Sequence, residues 1–323
     1  MDYNTFVEQV CEAVSQKLGS QHEVTLQHIW KNNGLELDAI VVKKMGENIS
    51  PNIYVEYYYQ RWCEGETLDE VAEEIVEVYT TALKDKPKHI DAYLRYEDCR
   101  QRIFCRLVNY EKNKENLKKV PYIRKWDLAI TFHCLVHENE QGMQSFCVTE
   151  CMREQWNVPM ESLYAQAREN TYKLFPPRIE TLEDVLDQLC FPKQEERSLE
   201  KNLRKFSYWE ILEYWEDSLP ERQMEMPFVI TNLSKLNGAT AILYPGVLEM
   251  ISKKCDSDLY LLPSSIHEFL ALPANSLEPE ALEKMVKQVN RTEVATEEVL
   301  SDTVYFYDRK KKKVSIQQSS IEV

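Results

Sequence analysis

Residues 22–44 read HEVTLQHIWKNNGLELDAIVVKK, two runs of strand-forming residues on either side of Asn32-Asn33-Gly34. The runs, His22–Lys31 and Leu35–Lys44, are rich in valine, isoleucine and leucine, and the β-branched residues among them suit a pleated, half-buried surface. Asparagine followed by glycine accepts the positive φ angles of a tight connection. This segment therefore predicts two antiparallel strands and a sheet built from hairpins.

Further elements are predicted on both sides of this hairpin. Apolar residues at helical spacing, with cap and stop residues, predict helices at 3–18, 52–63, 68–79, 98–109, 159–174, 247–255 and 278–290. Strand-like runs occur at 127–138, 143–152, 228–232, 239–244, 259–262, 269–272 and 303–309. Since several runs are joined by hairpin signals, the expected class is α+β, with antiparallel hairpin-built sheets and helices packed on one face, in two lobes.

The length of 323 residues suggests about two domains. Residues 192–226 are rich in charge and bounded by proline, and Trp209, Leu212 and Trp215 indicate a helix within them. We therefore expect a charged helical linker or insertion at 192–226. It would separate an N-terminal α+β lobe at 1–191 from a C-terminal α+β lobe at 227–323.

The composition indicates a packed protein in a reducing compartment. Hydrophobic residues make up 43% of the chain and include 18 Tyr, 10 Phe and 6 Trp, more large apolar surface than disordered chains have. The nine cysteines lack framework spacing and are interpreted as free thiols. Acids stand where a signal peptide has basic residues, and no run reaches the ~20 apolar residues of a membrane helix. We therefore expect a cytoplasmic protein with no membrane partner.

The charge is uneven along the chain. The formal net charge of −15 opposes generic binding to phosphate backbones, yet residues 84–125 contain 13 Lys or Arg against 6 Asp or Glu. Aromatic residues interleave with these cations, as on surfaces that stack and neutralise a nucleic-acid strand. The alternative is helices whose cations face solvent or pair with acids, and the overall negative field favours it. A protein partner or self-association through this asymmetry is expected instead of nucleic acid.

Three parts of the sequence have distinctive local patterns. They are Lys31–Gly34 with Glu47–Tyr54; Leu107–Asn113 with Val120-Pro121 and Asp127–Ile130; and Thr231-Asn232 with Asn237–Ala239, Leu243–Leu248 and Asp258–Glu268. In these patterns the chain resembles domain-of-unknown-function family 5688 over nearly its whole length. The resemblance implies a bacterial cytosolic protein. Because that family has no assigned activity, the resemblance implies no catalytic residues.

The sharpest polar cluster is Pro263-Ser264-Ser265-Ile266-His267-Glu268, directly after a predicted strand. Serine and histidine are the nucleophile and base of acyl-transfer sites, so a hydrolase-like site using a serine with His267 and Glu268 is one hypothesis. The alternative is a helix start, with Ser264 or Ser265 as N-cap and Glu268 completing a capping box. The sequence has no Gly-x-Ser-x-Gly turn, which favours the helix start.

A second candidate set is His133, His137, Cys147 and Cys151, residue types that suit tetrahedral zinc. On the two strands of one hairpin, the histidines would share a face and so would the cysteines. Residues four apart on a strand are, however, ~13 Å apart, which is too far for ligands of one ion. We therefore expect buried thiols and partly exposed histidines, with no metal and no cofactor.

The motifs of nucleotide-binding loops, of zincins and of Cys-x-x-Cys redox sites are missing from the sequence. The sequence therefore favours a non-enzymatic binding or interaction protein. Two alternatives stay open. One is a hydrolase-like enzyme that uses His267 and Glu268, and the other is a nucleic-acid-associated factor that acts through the basic segment 84–125.

Overall fold

The computed structural model describes residues 1–45, 51–84, 95–139, 142–190, 199, 202–220, 227–274 and 278–317. The chain divides into two compact units, residues 1–90 and 91–323. Among the described helices, none combines the length and the apolar character that a membrane span requires.

The first unit contains a three-stranded antiparallel sheet and three helices. In chain order its elements are α1 (Tyr3–Leu18), β1 (His22–Trp30), β2 (Glu36–Lys44), β3 (Asn52–Tyr54), α2 (Val55–Cys63) and α3 (Leu68–Lys84). The predicted hairpin is confirmed, with Val24 opposite Val42. In its connection Asn33 and Gly34 adopt φ angles of 61° and 72°, which explains why these two residue types are needed there.

The core of the first unit is formed by the three helices and the sheet. Phe6, Val10 and Val14 form the predicted stripe on α1 and are fully buried in one cluster with Ile40. The prediction of a helix over 52–63 is wrong for its first three residues. They form β3, because a backbone that pairs with the open edge of β2 gains ladder hydrogen bonds that a helix end lacks.

The second unit contains two further antiparallel sheets. The four-stranded sheet consists of β4 (Ile103–Asn109), β5 (Tyr122–Lys125), β6 (Leu128–Asn139) and β7 (Gly142–Cys147), in the order β4-β6-β5 with β7 also on β6. The six-stranded sheet consists of β8 (Pro177–Thr181), β9 (Phe228–Asn232), β10 (Leu259–Ser265), β11 (Glu268–Pro273), β12 (Tyr305–Asp308) and β13 (Lys313–Ile316), in the order β13-β12-β10-β11-β9-β8. The predicted α+β class is confirmed.

Helices surround these sheets. They are α4 (Tyr96–Cys99), α5 (Lys114–Leu117), α6 (Glu150–Gln155), α7 (Met160–Leu174), α8 (Leu182–Cys190), α9 (Tyr208–Ser218), α10 (Val247–Lys254) and α11 (Pro279–Thr292). One face of the six-stranded sheet joins the main core, in which Ile230 and Leu261 are fully buried. The other face packs Leu262 against Leu282 of α11 in a smaller cluster.

The boundary of the units differs from the expected lobes at 1–191 and 227–323. Strand β8 pairs with β9, with Ile179 opposite Ile230, so the two sides of the expected linker lie in one sheet. Along the chain, residues 192–226 therefore lie between two strands of one sheet of the second unit. Their described part includes α9, whose buried Trp215 donates from Nε1 to the Pro177 carbonyl at 2.7 Å; residues 192–198, 200–201 and 221–226 lie outside the described residues.

Three local predictions need correction. Residues 103–109 form β4 and not a helix, because Ile103, Cys105 and Leu107 alternate into the core at the period of a strand. Residues 238–243 form a 3-10 helix and not a strand. The strand expected over 143–152 ends at Cys147, because the Thr149 side chain accepts from the Met152 amide and caps α6.

Helix α7 protects the free edge of β4, which positions the four-stranded sheet. The Thr171 hydroxyl accepts from the Cys105 amide at 2.9 Å, and Asn170 donates to the Ile103 carbonyl at 2.8 Å. These side chains satisfy backbone groups that an edge strand leaves unpaired. One face of this sheet packs on the core. Every second residue along its strands projects to the opposite face.

Candidate functional site

The face of the four-stranded sheet that points away from the core is called here the outer face. Directly paired residues of antiparallel strands project to the same side, so the register places three rows across this face. The rows are Phe104–His133–Cys147, Arg106–Thr131–Tyr122 and Val108–Ala129–Arg124, and the pair Leu135–Ser145 extends it. These positions hold two arginines and no acidic residue.

Arg106 is half-buried at the centre of the outer face. Its Nη2 donates to the Ser145 hydroxyl at 2.8 Å, and its Cζ lies 5.3 Å from the centre of the Phe104 ring. Its Nε is buried without a hydrogen-bond partner, and no described carboxylate forms an ion pair with it. Burial lowers the pKa of the Arg106 guanidinium to about 10, so it stays charged at neutral pH.

The groups around Arg106 are neutral. His133 Nε2 lies 3.1 Å from the Thr131 hydroxyl, and burial together with the charge of Arg106 holds the pKa of His133 well below its usual range. Burial also raises the pKa of the Cys147 thiol to about 11. At neutral pH the imidazole is therefore uncharged and the thiol protonated, so neither compensates the guanidinium.

This arrangement is suited to binding an anion. A guanidinium presents a planar fork of N–H donors that matches a carboxylate or phosphate with two parallel hydrogen bonds. The Nε of Arg106 is buried without a hydrogen-bond partner, so one donor of that fork is unsatisfied in the described fold. The Ser145 oxygen accepts from Arg106, so its own hydrogen is free to donate. Because the Cys147 thiol is protonated, the site offers donors and no activated nucleophile.

The residues Ser264, Ser265, His267 and Glu268 lie together at the turn between β10 and β11, so the expected helix start there is wrong. The strands continue through these residues because they pair across the turn, with Ser265 opposite Glu268. The Ser264 hydroxyl donates to Glu268 at 3.1 Å, and the Ser265 hydroxyl accepts from the His267 amide at 3.0 Å. Both serine hydroxyls thus stabilise the turn itself.

The His267 ring joins this turn to two other segments. Its Nδ1 accepts from the Asn237 amide at 3.1 Å, which places the ring proton on Nε2, and Nε2 lies 3.4 Å from Glu298 Oε1. The His267 carbonyl accepts from the Thr231 hydroxyl at 2.8 Å. Both ring nitrogens therefore serve contacts between loops, and neither of the two neighbouring serine hydroxyls bonds to the ring.

The candidate zinc residues are dispersed. His133 and Cys147 are paired across β6 and β7, but His137 follows a register shift and pairs with Gln144, and Cys151 is exposed on α6. Within the part of the chain that the structure describes, no group of three or more His, Cys, Asp or Glu residues is arranged to hold a metal ion. Two of the four residues, His133 and Cys147, instead lie close to Arg106.

The basic segment is partly neutralised where it is described. Residues 85–94 lie outside the described residues. Four cations in the remainder form ion pairs with acids three residues away, namely Arg95–Asp98, Arg100–Glu97, Lys114–Glu111 and Lys118–Glu115. Such exposed pairs contribute little to stability, but they lower the local positive field. Arg106 and Arg124 differ, since both lie on the outer face.

Comparison with known proteins gives a family and no activity. The model of the Family of unknown function (DUF5688) matches residues 3–309. The chain belongs to this family. No curated protein and no solved structure matches it. The DUF5688 match spans both units, and its description names no substrate, cofactor or partner.

Sequence reasoning missed Arg106 in this DUF5688 chain. The signal is the run Ile103-Phe104-Cys105-Arg106-Leu107, in which one arginine interrupts a strongly apolar strand. As a helix, that run places Arg106 at the surface with the other cations. As the strand it is, the same residue pairs with Thr131 on the outer face, in the row next to that of His133. Whether the segment is assigned as a helix or as a strand therefore decides whether Arg106 is recognised as a candidate binding residue.

Proposed function

We propose that this chain is a non-enzymatic binding protein of the bacterial cytosol that holds an anionic group of its ligand, a carboxylate or phosphate, at Arg106. The supporting observation is that no described acidic residue pairs with Arg106 and that its Nε has no hydrogen-bond partner. The chain has 54 acidic against 39 basic residues, so a carboxylate for this guanidinium is abundant in the sequence. The half-buried charge faces hydroxyl, imidazole and thiol groups instead.

Other sheltered arginines of the same chain have acidic partners. Arg61 pairs with Glu66 and Glu74, Arg153 with Glu150, and Arg178 with Glu180. Taking a cation out of water is unfavourable by several kcal/mol unless an anion and hydrogen bonds compensate it. An anion that arrives from outside would supply this compensation at Arg106, so part of the free energy of ligand binding is stored in the unliganded fold.

Isothermal titration calorimetry with inorganic phosphate and with acetate, in a low-salt zwitterionic buffer, tests the proposal. The wild-type protein should bind at least one of the two anions, and Arg106→Gln should weaken that binding by about tenfold or more, because a charge-assisted hydrogen bond contributes ~1.5–3 kcal/mol. Arg106→Lys should fall between them, because an ammonium lacks the planar fork.

The matched control is Arg100→Gln, which removes an exposed arginine of the same segment that is paired with Glu97. Its anion binding should equal that of the wild type after correction for ionic strength. The proposal is wrong if neither anion binds to the wild type, or if Arg106→Gln and Arg100→Gln bind both anions equally well.

A further inference from the structure

The outer face also carries an aromatic ring at a fixed distance from Arg106. Tyr122 on β5 and Arg106 on β4 both pair with Thr131 of the central strand β6, so they lie in one row. Neighbouring strands are ~4.8 Å apart, which puts the two backbones roughly 10 Å apart. Tyr122 is half-buried, so part of its surface is open to solvent. A ligand bound at Arg106 can therefore reach this ring.

A second cation stands beside the ring. Arg124 is exposed, and its Cζ lies 4.2 Å from the centre of the Tyr110 ring, which in turn lies 6.0 Å from the ring of Tyr122. Two arginines and two tyrosines thus lie on or beside a face that has no acidic residue at its strand positions, in a chain with a net charge of −15. The local charge is complementary to an anionic ligand and opposite to that of the whole chain.

The polar groups at Arg106 favour phosphate over carboxylate. The guanidinium has an unpartnered donor at Nε, and the hydrogen of the Ser145 hydroxyl is a further donor from a different strand. A carboxylate has two oxygens in one plane, whereas a phosphate group has three terminal oxygens arranged around phosphorus. Donors that come from two directions are therefore better matched by phosphate.

We infer that the ligand of the outer face is a nucleoside phosphate, with its phosphate at Arg106 and its base stacked on Tyr122. This inference rests on the anion site proposed above. A base stacks on a tyrosine ring without needing a particular hydrogen-bond pattern, and an arginine such as Arg124 adds a cation–π contact at the edge of the stack. The sugar spans the interval between the two contacts, over Thr131.

Calorimetry with adenosine monophosphate, adenosine and inorganic phosphate tests the inference. In the wild type, adenosine monophosphate should bind about tenfold or more tighter than inorganic phosphate, because stacking adds to the anion contact. Tyr122→Leu should reduce adenosine monophosphate binding to the level of phosphate, Tyr122→Phe should retain it, and neither should change phosphate binding. Tyr57→Leu, at an exposed tyrosine of the first unit, is the matched control.

A measurement on the wild type covers the case in which Tyr122→Leu does not fold. Nuclear Overhauser contacts should connect the adenine H8 or H2 proton with tyrosine ring protons, and they should disappear on competition with excess phosphate. If adenosine monophosphate binds no tighter than phosphate, or if these contacts are missing, the nucleotide inference is wrong while the anion site stands. If neither compound binds, both fall together.

Discussion

Arg178 and Arg106 are two arginines that lie on sheets of the same unit and are shielded from solvent, but they differ in their hydrogen-bond partners. Arg178 is 1% exposed, and its Nη2 donates to Glu180 at 2.9 Å and to Gln188 at 3.0 Å. Gln188 closes the group by donating to Glu180 at 2.7 Å. Arg106 has a neutral hydroxyl partner and an unsatisfied Nε. The acidic partner of Arg178 makes it a structural group, and the unsatisfied donor of Arg106 is the basis of the anion site proposed above.

The largest expected effect comes from breaking the Arg178 group. Glu180→Gln removes a carboxylate partner of the fully buried Arg178 guanidinium, which should lower the free energy of unfolding of the second unit by about 3–5 kcal/mol. Arg106→Gln should raise it, because it removes a half-buried charge whose desolvation no anion compensates. Urea unfolding followed by tryptophan fluorescence measures both, with exposed Glu213→Gln as the control. Equal losses for Glu180→Gln and Arg106→Gln would remove the distinction between the two arginines.

The second effect comes from giving Arg106 an internal partner. Ser145 already accepts from the Arg106 guanidinium, so Ser145→Asp places a carboxylate where the hydroxyl now lies. We expect phosphate binding to fall about tenfold or more, because the fork is then occupied, and stability to rise by about 1 kcal/mol. Calorimetry and urea unfolding report the two changes, and Ser145→Asn is the neutral control. Undiminished phosphate binding in Ser145→Asp would place the anion elsewhere.

The same contrast explains what the sequence predicts and what it does not. The connection at Asn32–Gly34 is predictable because its φ angles are a local demand on two residue types. The 3-10 helix at 238–243 depends on distant chain. A Cβ at Gly238 would lie 2.2 Å from the Thr231 hydroxyl oxygen and 2.6 Å from the His267 carbonyl oxygen, a contact that no local pattern encodes.

For a similar reason, the sequence indicates only some residues of the candidate site. His133 and Cys147 attract attention as ligand types, and the register does place them opposite each other. Arg106 joins them only when β4 is known to pair with β6, because the two strands are separated by the α5 region and β5. The helix assigned to 98–109 removed that pairing from view. Only the packed fold shows that no described acidic residue pairs with Arg106. From the sequence alone, any of the 54 acidic residues could be its partner.

The smallest expected effect is a pH dependence of stability that arises from His133 and from the charge of Arg106 beside it. His133 has a pKa below its usual range in the folded state because of burial and the charge of Arg106, whereas unfolded histidine titrates near pH ~6.5. Below that pH the unfolded chain binds a proton that the folded chain does not, so stability present above pH ~6.5 is lost as the pH falls. The loss should approach about 1 kcal/mol between pH 6.5 and 5.5, and it should be missing in His133→Gln. If phosphate binds at Arg106 as proposed, saturating phosphate should raise the pKa of His133 and make the wild-type loss smaller. Urea midpoints at the two pH values, with and without phosphate, measure this. If wild type and His133→Gln lose the same stability, burial and the charge of Arg106 do not hold the imidazole neutral in the folded state.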